Sequence, residues 1–183
     1  MGGVYVDAMI LHTYSQERAM QQRETWKALD SMRKTRMIFD RECIGIDGYD
    51  SVLSTFWGIG VDLIVVEQDI VPRIGMIKEL ENCGEPIAAQ AYYLCTIERL
   101  PVIAHRKYTE TMSTEWIEEG ETKADLIGLG LSYFSKEAQR MVDIKSLSNN
   151  RRWDNLDLRL SQAFYNLGIS FDIHYPLVVH NHA

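Results

Sequence analysis

The amino-acid sequence predicts an α/β fold, a mostly parallel twisted sheet flanked by helices, with residues 1–183 forming a single domain. Two observations carry this. Residues 4–70 alternate strand-like apolar runs with helix-forming stretches in the order β-α-β-α-β, an order that right-handed crossovers turn into an open sheet. Within it, Val61-Asp62-Leu63-Ile64-Val65-Val66 is nearly continuous and β-branched, as expected of a strand buried on both faces.

Residues 4–11 read as a mostly buried first strand, and residues 15–32 hold enough helix formers for a long helix. A shorter β run at 36–40 leads into the turn-rich Gly45-Ile46-Asp47-Gly48, after which 49–57 reads as helical. The third strand, 61–66, delivers the chain to Glu67-Gln68-Asp69. Beyond it the pattern predicts a short helix over 74–80 and strands over 87–93 and 100–105. Residues 106–123 are polar without clear periodicity and read as a mobile surface excursion. A Gly-interrupted apolar run spans 125–134, and Ser135 before Lys136-Glu137-Ala138 marks a capped helix start. From 155 to 167, Leu156, Leu160, Phe164 and Leu167 share one helical face, with Gly168 as an αL stop. The tail, 169–182, reads as one or two β segments broken at Pro176. No repeat, low-complexity stretch or linker divides the chain.

Composition narrows the function classes. With 46% hydrophobic and 25% charged residues, the chain is ordinary globular material. Its 19 basic against 26 acidic residues, a formal net charge of −7, argue against tracking nucleic-acid phosphates, so no nucleic-acid partner is expected. No apolar run is long enough to span a membrane, and MGGVYVDAMI lacks the basic start of a signal peptide. A cytoplasmic location is the resulting expectation. The three cysteines, Cys43, Cys83 and Cys95, have no zinc-module spacing and read as reduced core residues, with a Cys83–Cys95 bridge as the alternative.

The chemistry concentrates at Glu67-x-Asp69, two carboxylates where a buried strand emerges. Carboxylate oxygens suit Mg²⁺ or Mn²⁺, and such an ion keeps positions open for a substrate's phosphates. In the tail, His174-x5-His180-x-His182 offers imidazoles, which favour Mn²⁺ over Mg²⁺, and His180 and His182 share a face if the tail is extended. Trp153-Asp154-x-x-Asp157 opens an amphipathic helix, where both aspartates also fit plain capping. After the first strand, Tyr14 can stack on a base and Arg18 can meet a diphosphate oxygen, while Asp40 ends the second strand as a base or ribose contact. Gly128-Leu129-Gly130 lacks the third glycine and the acidic partner of a dinucleotide fingerprint, and reads as backbone that lets a sugar approach.

Val65-Val66-Glu67-Gln68-Asp69-Ile70-Val71-Pro72 resembles the metal-binding Asp-x-Asp segment of GT-A fold nucleotide-sugar glycosyltransferases. The element order around it is similar over most of the chain, at a size that suits a small viral or phage type. It departs from the commonest pattern at Glu67, whose longer side chain can reach a ribose or a bridging water. The resemblance implies Asp69 as a direct metal ligand, His180 and His182 as ligands completing the site, and Glu67, Asp40, Tyr14 and Arg18 around the nucleotide. It implies Asp154 or Asp157 as the base that takes the acceptor's proton in an inverting transfer, with Trp153 as a sugar platform. The implied cofactors and partners are Mn²⁺ or Mg²⁺, a nucleoside-diphosphate sugar donor, and a sugar or glycoprotein acceptor. A homodimer is expected from base rates, and the compartment becomes the host cytoplasm if the source is viral. Two other functions fit the same residues. One is a metal-dependent phosphoesterase or nucleotide hydrolase; the other is a non-catalytic viral structural or interaction protein on a degenerate enzyme fold.

Overall fold

A computed structural model of the chain describes residues 7–15, 22–44, 48–95, 101–147 and 156–180, with only the backbone of Cys95 and Pro101. The first half runs β1 (Met9–Tyr14), α1 (Gln22–Met32), β2 (Ile38–Glu42), α2 (Gly48–Phe56), β3 (Leu63–Glu67), β4 (Ile70–Val71), α3 (Ile74–Asn82) and β5 (Ile87–Gln90). Short strands follow: β6 (Tyr93–Cys95), β7 (Pro101–Ile103), β8 (Arg106–Tyr108), β9 (Thr114–Trp116) and β10 (Lys123–Ala124). The chain then forms β11 (Leu131–Phe134), α4 (Lys136–Met141), a 3-10 turn (Ile144–Leu147), α5 (Leu156–Asn166), β12 (Phe171–His174) and β13 (Val179–His180).

The central sheet has seven strands in the order β10-β12-β5-β11-β3-β1-β2. All run the same way except β11 and β10, so the sheet is mostly parallel. Side chains alternate across it with the period of two that strands impose. Met9, Leu11, Leu63 and Val65 face α2, α4 and α5 through Leu53, Ala138, Leu160 and Phe164. Ile10, Ile64 and Val66 face α1 and α3 through Leu29, Ile77 and Leu80. Each fully buried Leu, Ile, Val and Phe side chain among them contributes about 1.5–3 kcal/mol of hydrophobic stabilisation. With helices on both faces, the free edge for a ligand is the one at the strands' carboxyl ends.

Local signals explain several boundaries. Ser135 Oγ accepts the Ala138 N–H at 3.0 Å and starts α4, and Gly168, at φ +75°, turns the chain out of α5. The tail breaks at the cis Tyr175–Pro176 bond, between β12 and β13.

Four expectations are corrected. The first strand continues to Tyr14 instead of stopping at Leu11, because His12 is fully buried against Trp26 and Asp40 and Thr13 pairs with both neighbouring strands. The strand expected over 87–93 is two, because the chain leaves the sheet after Gln90, whose side-chain amide donates to the His174 and Pro176 carbonyls. Residues 106–123 are not a mobile excursion: β8 and β9 form an antiparallel hairpin, and Lys107 joins Glu115 and Glu121. Cys43 and Cys83 are free thiols and half-buried: Cys83 is not bridged and packs against the core, whereas Cys43 is part of neither core cluster. Among the described residues, no helix is long and apolar enough to cross a membrane.

Candidate functional site

The parallel register sets Glu67, the last residue of β3, beside Thr13 of β1. Gln68 and Asp69 make a tight turn into β4, which pairs antiparallel with β13 so that His180 stands opposite Ile70. This pairing carries the tail to the acid turn. His180 Nε2 lies 3.1 Å from Asp69 Oδ2, and both side chains are more than nine-tenths buried. His180 Nδ1 is 2.9 Å from the Tyr93 carbonyl, a bond in which it is the donor, so Nε2 is the nitrogen left facing the carboxylate. Gln68, between the two acids, anchors the turn: its Oε1 accepts from the Ser15 N–H at 2.7 Å and from Gln22, and its carbonyl accepts from Thr25 Oγ1 at 2.8 Å.

Negative charge is crowded here. The Glu67 carboxyl is pushed up to about 7, first by burial, then by the charges of Asp69 and Asp157, with Tyr49 and His180 opposing. Asp157 is also raised, mainly by burial, against the pull of the Leu158 N–H at 2.9 Å and of Arg106 and Arg159. Burial works against a charge on His180, yet Asp69, the Tyr93 carbonyl and Glu67 outweigh it and raise its pKa. A divalent cation would relieve this crowding, and a carboxylate oxygen facing an imidazole nitrogen is a donor pair that suits one.

Glu67 and Asp69 form the shared wall of two cavities. The first, about 170 Å³, lies at the carboxyl ends of β1 and β3 between Thr13, Tyr14, Ser15, Cys43 and Tyr49. The second, about 350 Å³, is enclosed by Tyr92, Arg106, Trp116, Gly128, Asp157 and His180. Arg106 lies over the Trp116 ring, 4.6 Å from its centroid, and its buried Nε has no hydrogen-bond partner.

The structure therefore brings Glu67, Asp69, Asp157 and His180 together, with Tyr14 across the first cavity, edge-on to Trp26 at 5.4 Å. Asp40 lines neither cavity; its carboxylate is taken by His12 at 2.9 Å and Arg33 at 2.5 Å. Arg18, Trp153, Asp154 and His182 lie outside the described residues. The two glycines admit a close neighbour of the chain itself: a Cβ on Gly128 would collide with Tyr92 Oη, and one on Gly130 would stand 2.7 Å from Tyr92 Cε1. Their missing side chains make room for Tyr92, and Gly128 with Tyr92 lines the second cavity.

Sequence reasoning missed Arg106, Trp116, Tyr49, Tyr92 and Gln68. Only Gln68 carried a signal, as the residue between two acids at a strand end. Arg106 and Trp116 sit in three-residue strands too short for any periodicity to register.

No protein-family model matches the chain, and no curated protein matches it. Among solved structures it is similar to 4-diphosphocytidyl-2C-methyl-D-erythritol synthase from Anaerococcus prevotii, with a TM-score of 0.46 and 8% identity over 97% of this chain and 90% of that one.

Proposed function

We propose that the chain is a metal-dependent glycosyltransferase that moves a sugar from a nucleoside-diphosphate sugar to an acceptor hydroxyl with inversion. The observation that supports this most is the acid turn standing as the common wall of two cavities. A transferase must hold two substrates on either side of the bond that breaks, whereas a hydrolase needs one pocket and a water. In this reading the smaller cavity takes the nucleotide, with Tyr14 stacked on the base, and the larger takes the sugar and the acceptor.

Asp69 and His180 are the residues that would hold Mn²⁺ or Mg²⁺, the imidazole favouring Mn²⁺. Bound there, the cation neutralises charge on the leaving diphosphate. Glu67, which keeps its proton to about pH 7, can donate to a ribose oxygen or a bridging water. Asp157 is the base. As the acceptor oxygen bonds to the anomeric carbon, its proton passes to the Asp157 carboxylate, and the anomeric C–O bond breaks with its electron pair leaving on the diphosphate. Burial makes Asp157 a stronger base than a solvated carboxylate, and the Leu158 N–H fixes its orientation. The Asp157 carboxylate thus caps its helix and faces the cavity at once. Trp116, at the rim, offers an apolar face to a sugar ring.

The test is incubation with UDP- and GDP-sugars and a panel of sugar and glycoprotein acceptors, with and without Mn²⁺. Metal-dependent transfer supports the reading. Phosphate released from the nucleotide itself would make the chain a phosphoesterase, and no nucleotide binding at all would make it a non-catalytic protein.

A further inference from the structure

A second cluster lies on the far side of β5 from β11, where α3 packs over the sheet. Glu79 and Cys83 stand one helical turn apart at the carboxyl end of α3, on one helical face. Asp172 and His174, two apart on β12, share the strand face opposite the buried Phe171 and Ile173. Helix face over strand face brings one donor atom each of Cys83, Asp172 and His174 within 4.8 Å of one another.

The imidazole is set up for a metal. His174 Nδ1 is 3.3 Å from Glu79 Oε1, which accepts its proton. Nε2 is buried and 3.0 Å from Asp172 Oδ2, so a metal bound there takes the place of the proton that this ion pair holds. A carboxylate holding one ring nitrogen so that the other can bind is the usual support of a metal-ligating histidine. Thiolate, imidazole and carboxylate together suit Zn²⁺, which takes four tetrahedral ligands. Bonds of about 2.0–2.3 Å put donor atoms about 3.3–3.8 Å apart, a spacing that the three atoms, all within 4.8 Å of one another, reach by small side-chain adjustments.

We infer that Cys83, Asp172 and His174 form a zinc site, separate from the acid turn, that staples the end of α3 to β12, with Glu79 as the positioning residue behind His174. The Cys83 thiol and His174 Nε2 give up their protons on binding, and a water fills the fourth position.

Co²⁺ titration of the full chain tests this, because only a cobalt–thiolate bond gives a charge-transfer band in the near ultraviolet. The expected result is a band that saturates at one Co²⁺ per chain and is displaced by Zn²⁺ but not by Mn²⁺. It disappears in Cys83→Ser and His174→Gln, persists in Cys43→Ser and Asp69→Asn, and needs about tenfold more metal in Glu79→Gln. Zn²⁺ should raise the melting temperature of the wild type and not that of Cys83→Ser. If Cys83→Ser does not fold, Cys83→Ala and His174→Gln carry the comparison. No band in the wild type, a band that survives loss of Cys83 or His174, or an equal zinc-induced rise in melting temperature in Cys83→Ser would overturn the inference. Since Asp69→Asn keeps the band, failure here leaves the proposed transferase site untouched, and the reverse.

Discussion

The two cavities that share Glu67 and Asp69 are built in opposite ways. The first is walled by residues 13–15, 43, 49 and 67–69, the ends of neighbouring elements within one β-α-β-α-β run. The second draws on residues 92, 94, 104, 106, 116, 126–128, 157–158 and 180, segments far apart in the chain that meet through the pairings of β8 with β9 and of β4 with β13. The first wall is a by-product of the fold's topology. The second is assembled by long-range contacts, and that is where a catalytic base and an acceptor would be chosen. Changes in the first cavity should accordingly act on nucleotide binding and changes in the second on transfer.

The largest effect concerns the stability of the second wall. His105 is buried edge-on to Tyr92 and its Nε2 donates to the Gln90 carbonyl at 3.0 Å. Burial pushes its pKa down to about 4, opposed by that hydrogen bond. The unfolded chain, with a pKa of 6.5, therefore takes up the proton first as pH falls. This contribution is complete above pH 6.5 and is lost toward pH 4, about 3 kcal/mol in all. Glu67, raised from 4.5 to about 7, opposes this over nearly the same window, so the loss is read as a difference: in denaturant melts from pH 7 to 4, stability should fall more (or rise less) in the wild type than in His105→Gln. Equal slopes would remove the histidine from the account.

Asp157→Asn should fold, bind nucleoside diphosphate as the wild type does, and transfer at least ~100-fold more slowly. Full activity would reduce Asp157 to a capping residue and move the base to Asp154. Tyr14→Ala should weaken nucleoside diphosphate binding by about tenfold, the scale of one base–aromatic stack, measured by calorimetry. Trp116→Ala should leave that binding unchanged and raise the acceptor KM about fivefold. If Trp116→Ala weakens the nucleotide and Tyr14→Ala spares it, the two cavities have been assigned the wrong way round.

The same contrast governs what could be read from the sequence. The buried run of β3 and the acids at its end followed from an uninterrupted β-branched segment, and the α4 cap and the α5 stop from single residues, Ser135 and Gly168. The break in the tail at Pro176 allowed an extended segment that bears His180. These are local signals, each complete within a few residues. Arg106 and Trp116 had none, because a hairpin of three-residue strands with exposed or half-buried positions leaves no hydrophobic period. Gly128 and Gly130 advertised a close approach but not what approaches, and Tyr92, some 36 residues upstream, could not be named from spacing. His12 to Tyr14 looked like loop because its apolar surroundings come from Trp26 and the neighbouring strand, not from its own pattern.

The measurement that bears most directly on the acid turn as a metal-assisted nucleotide site is calorimetric binding of UDP and GDP to wild type and Asp69→Asn, with and without Mn²⁺. Asparagine keeps the shape of Asp69 and removes the charge facing His180 Nε2 at 3.1 Å. Mn²⁺-dependent binding of at least one of the two nucleotides is expected in the wild type. In Asp69→Asn, at an unchanged melting temperature, the Mn²⁺ dependence should be gone. Binding to Asp69→Asn with the wild-type Mn²⁺ dependence would contradict it.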